Sequence, residues 1–316
     1  MNVLISGIAG SGGSYLAEYI ATQHPDVSIA GISRWHSTTT SDNLRDIKDK
    51  IKIYECDLLD FSSIIRTLEH FNPHRIFNLA AHANVRACFE TPLSVVNNNV
   101  MSTANLFEAA RMVCPKATIM QCSTSEVYGN PKEVPMYETH QMLPVNPYSA
   151  SKLSQEAMAY AWHQSWGMNI IITRAFAYIN PRRGDLFASA FAKQVVKIER
   201  GEQKVLKHGN LNSLRTLMDV RDMCSAYWLA CEKCNPAEPY NIGGTDIMMV
   251  GEFLTRLIKH AKVEIPCEVD RNLFRPKDVT NQVCDTTKFI KATGWKPKYT
   301  FDESLEFLLD YYRKEK

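Results

Sequence analysis

Asn2-Val3-Leu4-Ile5-Ser6-Gly7-Ile8-Ala9-Gly10-Ser11-Gly12-Gly13 couples a short apolar run to a stretch that carries Tyr15, Leu16, Tyr19 and Ile20 on one face. The run Val3 to Ser6 predicts a buried strand, and the periodicity from Gly13 to Gln23 predicts a helix. Between them, Gly7, Gly10, Ser11, Gly12 and Gly13 form a turn poor in side chains. Glycines let such a turn fold tightly, and let backbone N–H groups approach a pyrophosphate at the positive end of the helix. A glycine-rich turn by itself is weak evidence. Its place directly after an amino-terminal strand points to dinucleotide binding.

Outward from this unit the same alternation continues. Strands are predicted at Val27 to Ile32, Arg75 to Leu79, Thr118 to Cys122 and Asn169 to Thr173. Helices are predicted at Phe61 to Phe71, Leu93 to Val113 and Tyr148 to Trp166. Strand and helix in turn, with short connections, imply an α/β fold: a doubly wound, Rossmann-type parallel sheet covered on both faces. Its ligands belong beyond the carboxyl ends of the strands. After Arg174 the alternation becomes irregular, with polar loops at Pro181-Arg-Arg-Gly184, Gly209-Asn-Leu211 and Arg275-Pro-Lys-Asp278 and a helix at Val250 to His260. Residues 1–174 therefore read as a dinucleotide-binding domain, to which 217–236 are expected to return. Residues 175–216 and 237–316 read as a smaller mixed α/β substrate lobe.

Composition narrows the function classes. Across 316 residues the net charge is only +2, and no Lys/Arg block is longer than a pair such as Arg182-Arg183. A nucleic-acid partner would leave a stronger basic footprint, whereas a polyanionic small ligand needs only a few placed cations. The start lacks the basic, apolar pattern of a secretory signal, and no run of ~18 apolar residues occurs, so a cytoplasmic protein without a membrane partner is expected. Nine scattered cysteines read as small core residues; Cys231-Glu-Lys-Cys234 has metal-like spacing but no second pair or nearby His, and no metal site is expected.

The position after the second strand commonly selects the cofactor: a carboxylate holds a ribose 2′-hydroxyl, while an Arg accommodates a 2′-phosphate. Here it reads Ser33-Arg34-Trp35, and the next acid is Asp42. That leans towards NADP over NAD, although Arg34 also suits a solvated loop or an adenine stack. Asp57-Leu58 fits two roles equally, adenine recognition or a helix cap beside a core Leu. Tyr148-Ser-Ala-Ser-Lys152 places a phenol and an ammonium four residues apart, on one face of a helix. A nearby Lys charge lowers a phenol's pKa, so that a phenolate takes a hydroxyl proton while hydride leaves the same carbon. Ser123-Thr124-Ser125-Glu126 lies upstream at a strand end, where the Thr124 hydroxyl can hydrogen-bond the same substrate oxygen.

In the order of these elements the chain resembles the extended short-chain dehydrogenase/reductases, and within them most closely the GDP-mannose 4,6-dehydratases. Further matching segments are Gly12 to Glu18, Leu79-Ala80-Ala81, Phe89-Glu90, Ser123 to Gly129, Pro181 to Gly184, Gly209 to Leu211, Arg275-Pro276 and Thr293 to Pro297. The resemblance implies that Thr124 contacts the 4-hydroxyl of a GDP-sugar. It implies that Glu126 removes the C5 proton, and that Tyr148 and Lys152 drive the oxidation. Leu79, Ala80 and Ala81 would border the cofactor. Ser125, Asn180, Arg183, Lys193, Asn210, Arg215 and Arg275 would hold the substrate. Glu126 also fits a structural role, capping its own turn near Val127 to Gly129. The chain departs from the family pattern at Ala177-Tyr178, where Asn-His is usual, and at Ala83, where a hydroxyl is usual. These departures leave room for another sugar such as a heptose, or for a 4-dehydrogenase, 4-reductase or 4-epimerase. The apolar faces of 93–113 and 148–166 are wide enough for a homodimer through a four-helix bundle, as in the family, alone or as a dimer of dimers.

Overall fold

The computed structural model describes residues 1–34, 42–274 and 279–315. The amino-terminal half follows the predicted alternation. Its strands are β1 (Asn2–Ser6), β2 (Ser28–Ser33), β3 (Ile51–Glu55), β4 (Arg75–Asn78), β5 (Thr118–Thr124) and β6 (Ile170–Ala175). Its helices are α1 (Ser11–Gln23), α2 (Phe61–Phe71), a short α3 (Ala87–Glu90), α4 (Pro92–Val113) and α5 (Pro147–Trp166). The second half begins with α6 (Phe187–Glu199), β7 (Leu206–His208), β8 (Leu214–Leu217), α7 (Val220–Lys233) and β9 (Pro239–Ile242). It continues with β10 (Asp246–Met249), α8 (Val250–Lys259), β11 (Cys267–Val269), β12 (Asn281–Gln282), α9 (Thr287–Thr293) and α10 (Phe301–Lys314).

The main sheet is parallel throughout, in the order β3-β2-β1-β4-β5-β6-β9. Strands buried on both faces read as continuous apolar runs, and β1 shows why. Val3 and Ile5 enter one core with Leu16, Ile20 and Phe77, while Leu4 enters the opposite core with Ile64, Ile76 and Leu106. After β3 the chain returns to place β4 on the other side of β1, so the carboxyl ends of β1 and β4 flank the crevice where such sheets bind ligands. The seventh strand, β9, escaped the sequence reading because Pro239-Tyr-Asn-Ile is too short to show a period. The helix α7 packs on α1, sharing Val220, Met223 and Tyr227 with the first core.

A third core, built from Phe191, Val195, Phe253, Leu257, Leu305 and Leu309, supports the smaller lobe. Asn180 fastens the two lobes: its amide donates to the Ser11 carbonyl at 3.2 Å, and its own carbonyl accepts from the Ser189 hydroxyl at 2.8 Å. The helices α4 and α5 pack on each other and leave Leu93, Met101 and Tyr160 exposed. Among the described residues no helix is long and apolar enough to cross a membrane, and no His/Cys/Asp/Glu cluster could hold a metal ion. All nine cysteines are unpaired.

Candidate active site

A cleft of about 890 Å³ opens between the lobes at the carboxyl end of the sheet. Its floor is the turn from β1 to α1. Gly7 has φ +68, and a Cβ there would lie 3.0 Å from the Ala80 backbone, because β1 and β4 converge at this point. At Gly13 a Cβ would stand 2.3 Å from the Gly7 carbonyl, so only glycine lets α1 start this close to the strand. No side chain caps α1, and its first turn carries no acid. The unsatisfied N–H groups of a helix start thus face the cleft with the positive end of the helix dipole behind them. Gly10, Ser11, Gly12, Leu79 and Ala81 line the same wall, whereas Ala80 faces Gly7 and takes its place through packing and an N–H bond to the Ser6 hydroxyl.

Thr124, Ser125, Glu126, Tyr148 and Lys152 all line the cleft. Thr124 ends β5, and its hydroxyl accepts the Glu126 N–H at 3.3 Å as the chain turns into a short 3-10 segment. Tyr148 and Lys152 lie in the first two turns of α5. A buried amide network sets the register of that helix: Asn78 bonds Gln121 at 2.7 Å, Gln121 bonds Gln155 at 2.8 Å, and Gln155 bonds Thr103 at 2.8 Å. Asn99 adds a bond to the Ser151 hydroxyl at 2.9 Å. One turn beyond Lys152, Glu156 is neutralised by Arg174 at 2.7 Å inside the core. Satisfied buried networks of this kind hold one arrangement of a helix rather than several.

The electrostatics differ from the simple pairing expected from the spacing. Burial raises the Tyr148 phenol well above its ordinary value, and the largest opposing influence is the Arg183 guanidinium, not the expected Lys152. Arg183 is close enough because it reaches across the cleft to the Ala83 carbonyl at 2.7 Å. Burial also depresses the Lys152 ammonium, and among the described residues no hydrogen bond or ion pair engages it. The Glu126 carboxylate accepts from the Asn146 amide at 2.9 Å, while the Gly129 N–H goes to the Glu126 backbone carbonyl. Its side chain therefore turns towards α5 and away from the cap of its own turn.

The family model for GDP-mannose 4,6 dehydratase matches residues 4–307. The chain belongs to the GDP-mannose 4,6-dehydratase family. A GDP-mannose 4,6-dehydratase of Sinorhizobium fredii is 28% identical, over 93% of this chain and 91% of its own. The solved dTDP-glucose 4,6-dehydratase of Bacillus anthracis, in complex with NAD, superposes with a TM-score of 0.86 at 24% identity, covering 100% of this chain and 97% of its own. RMD of Pseudomonas aeruginosa, complexed with NADPH, gives 0.84 at 24% identity over 99% and 98%. These two share the fold.

The substrate-side residues expected from the family pattern are sorted by the tertiary structure. Arg183, Asn210 and Arg215 line the cleft. The Arg215 guanidinium is spread over the backbone carbonyls of Val279 and Thr280, at 2.5 and 3.0 Å. Lys193 lies elsewhere: its ammonium sits beside Gly184, 5.3 Å over the Tyr312 ring, because α6 turns that face to α10. Asn180 is buried as the bolt between lobes. Asp57 folds its carboxylate onto the Leu59 N–H at 2.9 Å, Asp60 caps α2 in its stead, and Leu58 is core. Arg34 is exposed just past β2, outside the cleft lining, while Arg275 lies outside the described residues.

Two features, one lining the cleft and one behind it, were not assigned from the sequence. Tyr178 places its hydroxyl 3.4 Å from where a Gly12 Cβ would stand, and burial pushes its phenol up to about 12 against the pull of Arg183. Nothing linear joins positions 12 and 178. Asn146, the partner of Glu126, did carry a signal: Asn followed by Pro147 is a helix-start signature.

Proposed function

We infer that this chain is a nicotinamide-dinucleotide-dependent GDP-sugar 4,6-dehydratase acting on a GDP-mannose-like substrate. The observation that carries this reading is the convergence of Thr124, Glu126, Tyr148 and Lys152 on one cleft in a member of this family. The residues present fit a dinucleotide. An uncapped helix start lies over a glycine cradle in which a Cβ at Gly7 or Gly13 would meet backbone, and Lys152 offers a buried cation that no hydrogen bond or ion pair engages among the described residues. Gly10 to Gly13 would hold the pyrophosphate and Lys152 the nicotinamide ribose. The bound dinucleotide supplies the hydride acceptor for C4 and the hydride that returns to C6.

The chain's own groups do the proton work. Tyr148 takes the proton of the 4-hydroxyl, and Thr124 donates a hydrogen bond to the same oxygen. The resulting 4-ketone acidifies C5–H; Glu126 takes that proton and passes it to the 6-oxygen, so that the 6-hydroxyl departs as water, and a solvent proton later enters C5. Arg183, facing the Tyr148 phenol, favours its ionised form. The test is turnover of GDP-mannose in deuterium oxide. The expected product is a 6-deoxy-4-keto sugar with deuterium at C5 and no stoichiometric build-up of reduced cofactor. Glu126→Gln is expected to stall after oxidation with reduced cofactor trapped. A wild-type product that keeps its 6-hydroxyl moves the chain to the alternative reading, a GDP-sugar 4-dehydrogenase, 4-reductase or 4-epimerase. Ala83 and Ala177, apolar where the family pattern is polar, are the observation in favour of that alternative.

NADP is the proposed cofactor form. No carboxylate follows β2, and Arg34 stands there exposed, near enough to His82 for its charge to help burial depress that imidazole. Arg34→Ala is expected to weaken NADP more than NAD in direct binding. Equal losses for the two would make Arg34 a bystander.

A further inference from the structure

We propose that Asn146 is the positioning residue for the elimination step, holding the Glu126 carboxylate at the same helix end that carries Tyr148. The proposal deepens the dehydratase reading and rests on it. Asn146 is the N-cap of α5, with extended φ −148 and ψ 161 ahead of Pro147. Its Oδ1 accepts the Ser149 N–H at 2.8 Å, and its own N–H donates to the Ser149 hydroxyl at 3.3 Å, closing a capping box. With Oδ1 committed to the helix, the planar amide turns its Nδ2 outward, where it donates to Glu126 Oε2 at 2.9 Å. A flipped amide would set oxygen against carboxylate and N–H against N–H. The cap thus dictates which end of the amide Glu126 meets.

The residue type follows from this double duty. Asp and Ser cap a helix about as well as Asn, yet Asp keeps no donor after accepting the helix N–H, and Ser keeps only the O–H of the capping oxygen itself, with no second arm to reach Glu126. Asp would face a carboxylate with a carboxylate. Asn146 is 9% exposed, so its hydrogen bond competes little with water. Glu126 is then fixed twice, through its backbone by the Thr124 hydroxyl and through its side chain by Asn146. Tyr148, two residues after the cap, shares the same rigid helix start. The separation between the group acting at the 4-hydroxyl and the group acting at C5 is set by that one element instead of by two independent loops.

The test uses the full-length protein with GDP-mannose and NADP, or NAD, in deuterium oxide. Asn146→Asp preserves the cap but sets two carboxylates together, so the fold is expected to persist with a somewhat lower thermal midpoint. Deuterium entry at C5 is expected to slow on the order of 10²-fold, as for a displaced catalytic group. Reduced cofactor should build up, since oxidation at C4 uses groups that Asn146 does not touch. Asn146→Ser, which keeps the cap but lacks the Nδ2 arm that reaches Glu126, should move both readouts in the same direction by less. Wild-type rates of C5 exchange in both variants, with no build-up of reduced cofactor, would overturn the proposal. So would an equal loss of C4 oxidation and C5 exchange, which is the mark of a merely structural cap. If the wild type forms no 6-deoxy product, the dehydratase reading falls and takes this role with it. If it does and the variants match it, only the role of Asn146 falls.

Discussion

The two walls of the cleft were assembled by different means. On the sheet side, the groups that matter are neighbours along the chain: a glycine turn directly after β1, Thr124 and Glu126 at the end of β5, and Tyr148 with Lys152 one helical turn apart. On the lobe side, four cations of similar appearance meet four different fates. Arg183 enters the cleft beside Tyr148 and Tyr178. Arg182, its neighbour, is turned the other way, onto Glu18 and over the Tyr15 ring at 4.0 Å. Lys193 lies along Tyr312, and Arg215 is bound by backbone carbonyls. Local spacing positions the first set; only the packing of α6, α10 and the loops against α1 sorts the second.

The largest expected effect is on the sheet side. Tyr148→Phe should cost roughly 10²–10⁴ in turnover, while dinucleotide binding measured by fluorescence titration stays close to wild type. A Phe variant with most of the wild-type rate would remove the phenol from the chemistry and erase the contrast between the walls. Next comes Arg183→Ala, expected to lower turnover on the order of 10-fold to 10²-fold. Burial alone raises the Tyr148 phenol and Arg183 opposes that rise. Without Arg183 the phenol loses its proton only at higher pH, so the rising limb of the pH–rate profile should move to higher pH. Arg183→Lys should recover part of the shift, since it restores charge without the planar fork.

The adjacent Arg182→Ala should act on stability instead. It leaves Glu18, whose carboxyl burial already raises, without its partner. Denaturant unfolding should show a loss of about 2 kcal/mol, less than for a fully buried pair because both side chains still reach solvent. Turnover of the folded fraction should persist. The smallest effect is assigned to Lys193→Ala, with turnover unchanged and stability within about 0.5 kcal/mol of wild type. A large loss of turnover at Lys193 would place a ligand in the separate pocket that it lines with Gly184, Tyr311 and Tyr312.

Residue order was enough for the alternation of the first half, the glycine turn and the Tyr148/Lys152 pair. Each of these is written in a short period or a single turn: apolar runs of four or five residues, a helix face of four, a strand that ends in glycine. Helix α2 was legible from Phe61 to Phe71 because an Asp cap and a strong apolar face bound it on both sides. The strand β9 was not, since four residues carry no period and its place beside β6 depends on a partner 67 positions earlier. Nor was the charge environment of Tyr148. Helical spacing named Lys152 as its neighbour, but the field at the phenol depends on distance and burial, and the fold brings Arg183 in from the other lobe. The pairing of Glu126 with Asn146 is of the same kind. The cap was readable from Asn-Pro, whereas the carboxylate that meets its far side arrives from a loop 20 residues upstream. Short-range periodicity carries the backbone because hydrogen bonding and side-chain direction repeat locally. Charges and donors act through space, so their partners are decided only when the lobes close on one another.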